Sequence, residues 1–261
     1  MSSVRVFFIG GLLSYRSLFN WLSPWILVPS LIVSPICQVL LFAYIGRGAG
    51  VGNDQFFVVG NALSYAAIPC LFAMGATVEG ERWSQTLGLI LSTPARRIPL
   101  FLGRSLPVIL NGWCVALVGI GAGMLLLHVT IPASSWPSLM LVLVVASASC
   151  TGLGLAMGAI ALRMRQGAVI SNVAFCVLLV FTGVNVPVAL LPDWMAHVAG
   201  WLPLTHGIEA ARATARGATI GSVSGLLGRE LAIGVLYAGV GLCLLNYFET
   251  DSRRRATLER T

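Results

Sequence analysis

Lysine is missing altogether: all 16 basic residues are arginine. A Walker A phosphate loop, whose lysine reaches the β and γ phosphates of a nucleotide, therefore cannot be built from these residues. Charge of any kind is scarce, at 10% of 261 positions, while hydrophobic residues fill 57%. Soluble chains run at about 25% and about 45–50%, so no water-compatible surface can be assembled here. No polar stretch is long enough for a separate soluble unit, and residues 1–261 read as a single membrane domain.

Chemistry-bearing residues are just as thin on the ground. Aspartate occurs only as Asp54, Asp193 and Asp251, isolated in loops and tail, and no nucleophile has a base nearby, which argues against a membrane-embedded lipid-modifying enzyme. No catalytic residue is assigned. The histidines, His128, His197 and His206, are scattered, so no metal site is expected. The cysteines, Cys37, Cys70, Cys114, Cys150, Cys176 and Cys243, lie singly in apolar segments without CxxC spacing and read as packing residues. The N-terminus shows no short apolar core followed by a small-residue cleavage site, so the first span is expected to direct insertion.

What the chain does have is long apolar runs. Residues 4–22 put Val4, Phe8, Gly11, Tyr15 and Leu22 on one helical face with Arg5, Arg16, Ser17 and Asn20 elsewhere, as in a helix lying in the membrane interface. Six runs long enough for a roughly 30 Å hydrocarbon core follow, at about 25–45, 56–78, 101–127, 139–162, 168–190 and 226–248, with a charged tail at 249–261. Arg5, Arg16, Arg82, Arg96, Arg97, Arg104, Arg163, Arg165, Arg253, Arg254, Arg255 and Arg260 fall on one side of this topology; Arg47, Arg212, Arg216 and Arg229 fall on the other. The positive-inside rule then puts both termini in the cytoplasm and explains the net charge of +7 without nucleic acid. The expected fold class is an all-α membrane protein with six transmembrane helices, an N-terminal interfacial helix, and short re-entrant helices before the last span.

Two segments do not read as plain spans. Residues 79–97 begin with Glu79, Glu81 and Arg82, continue with Trp83, Leu87, Ile90 and Leu91 roughly on one face, and stop at Thr93-Pro94 before Arg96. Two readings fit: a solvated loop with an interfacial helix, or an element that docks a cytoplasmic partner. Residues 187–212 mix Pro187, Pro192 and Pro203 with Trp194 and Trp201, too broken to span and too apolar for an ordinary loop. A helical hairpin dipping into the outer leaflet fits, since irregular backbone at that depth must be buried in protein or line a cavity. Glu209 and Arg212 stand i,i+3 and would pair on a helix, with substrate contact as the alternative. Asn111, Asn172 and Asn185 lie in or near apolar spans and are expected to bond other helices or face a pathway. Gly119 with Gly123, and Gly154 with Gly158, have the small-xxx-small spacing of close helix crossings.

On these two segments the chain resembles the permease subunits of ABC-2 type ATP-binding-cassette exporters. The Glu79–Arg82 turn with Thr86-Leu87 and Pro94 is similar to one family pattern. The run Gly183-Val184-x-x-Pro187, Leu191-Pro192 and Pro203-Leu204-Thr205 with downstream Arg212 is similar to the other. Departures occur at Gln85, Gly88, Leu202 and His206. The resemblance implies that residues 4–20 and 79–97 contact an ATPase, with Glu79, Glu81, Arg82, Trp83, Thr86, Leu87, Pro94 and Arg96 in the coupling segment. It implies an outer gate formed by Pro187, Pro192, Trp194, Pro203, His206, Glu209 and Arg212. It further implies two ABC ATPase subunits carrying ATP and Mg, no cofactor on this chain, and a second permease, identical or a sister chain. Placement in a bacterial inner membrane and outward movement of a drug, antibiotic or lipid-like substrate follow from the same resemblance. An ion-gradient transporter would instead need ionisable groups at mid-membrane and an inverted repeat, neither of which the sequence displays; a passive channel would need pore-lining rings.

Overall fold

The computed structural model describes residues 29–50, 53–83, 97–164 and 167–255. Among these no strand forms, as expected of an all-α membrane protein. After a single π-type turn at Pro29–Val33 come α1 (Ser34–Gly48), α2 (Asp54–Trp83), α3 (Arg97–Leu126), α4 (Trp136–Met164), α5 (Gly167–Phe181), α6 (Asp193–Ala199), α7 (Thr205–Ala215) and α8 (Ile220–Arg255). The interfacial helix expected at 4–22 lies outside the described residues.

Five helices carry windows long and apolar enough to cross a bilayer: Leu31–Gly48, Asp54–Met74, Gly103–Leu126, Ala133–Ala161 and Ile220–Phe248. The remaining expected crossing, 168–190, behaves differently. Its helix α5 ends at Phe181, and 15 residues at 1.5 Å each reach only about 22 Å. The chain then breaks at Gly183, whose φ of +76° suits a residue without Cβ, and at Pro187. At the other face, α2 carries helix on through Glu79, Glu81 and Arg82 to Trp83, so the turn expected at 79 is the last stretch of a helix.

Helices α2 and α4 form the centre. α4 packs on α2, α3, α5, α7 and α8, while α2 also receives α1. In the α4 window 72% of residues are buried, against 22% in the α8 window, so α8 leaves most of its surface for lipid or another subunit. Close crossings rest on small residues, as van der Waals packing in lipid requires. A Cβ at Gly123 would run into Val58, one at Gly119 would stand 2.9 Å from Ala62 Cβ, and one at Gly154 would run into the Cys70 carbonyl. Both glycine-containing spacings thus put residues against α2.

The C-terminal end of α1 and the N-terminal end of α2 are tied by a bidentate ion pair. Arg47 Nε donates to Asp54 Oδ1 at 2.9 Å and Nη2 to Oδ2 at 2.5 Å. Arg47 also stacks over Tyr44.

Candidate functional site: a buried helix held at both ends

Helix α7 reads THGIEAARATA, a sequence with little apolar content. It is nonetheless buried along Thr205, Gly207, Ile208, Ala210, Ala211, Thr214 and Ala215, packed against α8, α4 and α2. Small side chains allow that fit: Gly207 faces Ala146 on α4, where a Cβ would stand 3.0 Å from Ala146 Cβ.

A helix buried at its start must find partners for its first N–H groups. None of α7's own residues provides a side-chain cap, and Leu204 enters the helix with φ +81°, a conformation costing a non-glycine residue roughly 1–2 kcal/mol. The partner comes from α8. Glu230, fully buried, accepts from Leu204 N at 2.7 Å through Oε1 and from Gly207 N at 3.0 Å through Oε2. An anion at a helix N-terminus also opposes the positive end of the helix dipole. Ser149 on α4 lies beside this carboxyl with its buried hydroxyl outside hydrogen-bond geometry. Thr205 Oγ1 donates to Ala199 O at 2.7 Å, closing the turn behind the cap.

The opposite charge sits at the other end. Arg212, in the last turn of α7, donates from Nη1 to Gly183 O at 2.8 Å, from Nη2 to Val184 O at 2.6 Å and Phe56 O at 3.1 Å, and from Nε to Phe56 O at 3.3 Å. Its guanidinium lies 3.4 Å from the Phe56 ring centroid. Burial, and secondarily the charge of Arg216, pushes its pKa down to about 9, which leaves it cationic at neutral pH. Gly183 and Val184 lie just past the end of α5, so Arg212 satisfies carbonyls of the break that follows that helix. Gly60 makes the approach possible: a Cβ there would stand 2.5 Å from Arg212 Nη2 and 2.7 Å from Val184 O. Gln55 Nε2 adds a bond to Ala215 O at 2.9 Å, the final carbonyl of α7.

This arrangement corrects the expected Glu209–Arg212 pair. Glu209 is exposed and Arg212 turns inward to backbone oxygens, because the buried carbonyls of Gly183 and Val184, beyond the end of a helix, outcompete a solvated carboxylate. Of the other expected gate residues, Pro203 is buried beside Leu204, His206 is half-buried with Nδ1 enclosed and unpartnered, and Pro187 is half-buried. Pro192 and Trp194 are exposed, Trp194 meeting the Phe181 ring edge-on at 5.9 Å.

Asn185 accepts from Asn61 Nδ2 at 3.0 Å, Asn61 Oδ1 accepts from Gln38 Nε2 at 3.4 Å, and Asn61 Nδ2 also donates to Phe57 O. These amides link α1, α2 and the break after α5. Asn111 is half-buried and Asn172 exposed, and the structure does not bring them into this chain of amides. In the coupling segment, Glu79, Glu81, Arg82 and Trp83 lie in the end of α2, whereas Thr86, Leu87, Pro94 and Arg96 fall outside the described residues.

Glu230 and Asn61 were missed by inspection of the sequence. The signal existed: Glu230 is the sole acid in the run 226–248, and Asn61 the sole amide in 56–78. Glu230 lies near one edge of its apolar run, where an acid reads as a boundary charge.

No curated protein matches the sequence. The profile of the ABC-2 type transporter family matches residues 11–215, a stretch that includes α1 to α7 and Arg212 but not Glu230. A match over that share of the chain shows that this protein belongs to the ABC-2 type transporter family, as a membrane-spanning permease component.

Proposed function

We propose that the chain is the permease subunit of an ATP-driven exporter that moves a hydrophobic or amphiphilic substrate outward. Two ABC ATPase subunits hydrolyse ATP with Mg, and a second permease, identical or a sister chain, completes the pathway. The observation that carries this reading is an ABC-2 membrane domain whose residues 1–261 hold no lysine and so no phosphate loop, which supports a loop supplied by a separate ATPase. The apolar outer surfaces of α1, α5 and α8, with Leu41, Val173 and Val235 exposed, supply area for lipid and for a second permease. Arginine distribution supports cytoplasmic termini in a bacterial inner membrane, which puts the end of α2 on the ATPase side and α7 on the outer side.

The test is affinity purification of the tagged chain from its native membrane in mild detergent, with mass spectrometry of partners and an ATPase assay, alongside Glu81→Arg. Recovery of a P-loop ATPase that is lost or uncoupled in the variant supports the exporter and the coupling role of 79–97. A chain that purifies alone and moves a solute on an ion gradient in proteoliposomes replaces this reading with a secondary transporter.

A further inference from the structure

The expected outer gate spans residues 187–212, yet its two halves are attached in different ways. Residues 204–215 are fixed at the N-terminal end by Glu230 of α8, at the C-terminal end by Arg212 to α2 and the break after α5, and in the middle by contact with α4. Residues 186–201 have far fewer ties. Helix α6 packs on α5 and the short turn Val188–Leu190, and Val186, Leu190, Trp194, Val198 and Trp201 are exposed.

We propose that Glu230 and Arg212 are positioning residues that make α7 a rigid strut of the transport unit, so that opening of the outer gate displaces residues 186–201 while α7 stays seated on α2, α4 and α8. The inference rests on the exporter reading and adds to it which part of the outer segment moves. Detachment of α7 would strand the buried Glu230 carboxyl and the Arg212 guanidinium together, whereas displacement of α6 gives up the Phe181–Trp194 contact and the Thr205–Ala199 hydrogen bond and exposes no ion. Opposite charges at the two ends of one helix also match its dipole, which strengthens the seat as a unit.

The experiment is hydrogen–deuterium exchange of the assembled complex in lipid nanodiscs, resting and trapped with ATP and vanadate. In the wild type, amides of 204–215 exchange slowly and equally in both states, while exchange in 186–201 changes about tenfold on trapping. Deprotection of 204–215 on trapping overturns the inference directly, even where no variant can be assembled. In Glu230→Gln, exchange at Leu204–Ile208 rises about tenfold and becomes dependent on nucleotide state, because α7 no longer follows α8. An equal rise in both states would assign Glu230 a structural role only and reject positioning. A preparation without an ATPase overturns the exporter reading; fast, state-dependent exchange of wild-type 204–215 in a complex that hydrolyses ATP overturns only the strut.

Discussion

Helices α6 and α7 are separated by a single turn, and their burial runs opposite to their composition. α6, reading DWMAHVA, is the more apolar and stands exposed at Trp194 and Val198; α7, reading THGIEAARATA, is the more polar and is enclosed. Hydrophobicity sorts residues between water and core, but here the outer surface borders membrane, where an exposed tryptophan sits comfortably at the interface. What makes α7 interior is partners supplied from elsewhere in the chain: Glu230 for its first amides, Gln55 for its last carbonyl, and carbonyls at Phe56, Gly183 and Val184 for its arginine. A short polar helix can form part of a membrane protein's core when distant charges complete its ends.

The largest effect that would break this contrast is expected at Arg212. Arg212→Ala leaves the buried Gly183 and Val184 carbonyls without their donor and should lower stability by about 3–5 kcal/mol, seen as lost monodisperse protein on thermal challenge in detergent. Arg212→Lys should recover only part, since an ammonium lacks the planar fork that reaches three oxygens. Wild-type behaviour of either variant would show that α7 needs no anchor. Next is Gly60→Ala, whose Cβ collides with the guanidinium and with Val184 O; a loss of about 1–3 kcal/mol is expected in the same assay.

Smaller effects sharpen the comparison. Asn61→Leu separates Gln38 from Asn185 and should cost about 0.6–1.7 kcal/mol, the range for polar contacts between membrane helices. Trp194→Ala removes an edge-on contact with Phe181 worth about 0.5–1.5 kcal/mol. Tryptophan quenching by brominated lipid should fall in that variant, and unchanged quenching would mean that α6 does not meet lipid. Glu209→Gln should shift stability by less than about 0.5 kcal/mol, because the exposed carboxylate does not engage Arg212. A double-mutant cycle with Arg212 giving appreciable coupling would restore the discarded ion pair.

The legible part of this architecture was the part governed by composition. Long apolar runs announced the crossings, and the prolines at 187, 192 and 203 marked the segment that leaves regular helix. The end of α5 was not legible, because Thr182–Leu191 remains apolar after the helix stops; only the backbone at Gly183 reveals the break. Arg212 bonds elsewhere than its i,i+3 spacing from Glu209 suggests, since that spacing speaks only of neighbours on one helix. Its real partners lie 28, 29 and 156 residues away. Glu230 went unnoticed for a related reason: an acid near the edge of a span looks like a boundary charge until the amides of Leu204 and Gly207 are brought to it by the fold.

The shortness of α5 has a consequence for how the protein is made. While the ribosome is still producing the outer segment, the carbonyls at Gly183 and Val184 have left the helix with no protein donor, because Arg212 has yet to be synthesised. Glu230 emerges later still. The end of α5 is thus settled retrospectively, by downstream residues that reach back to it, and a nascent chain arrested between positions 190 and 212 should hold that end less securely than one arrested beyond 230.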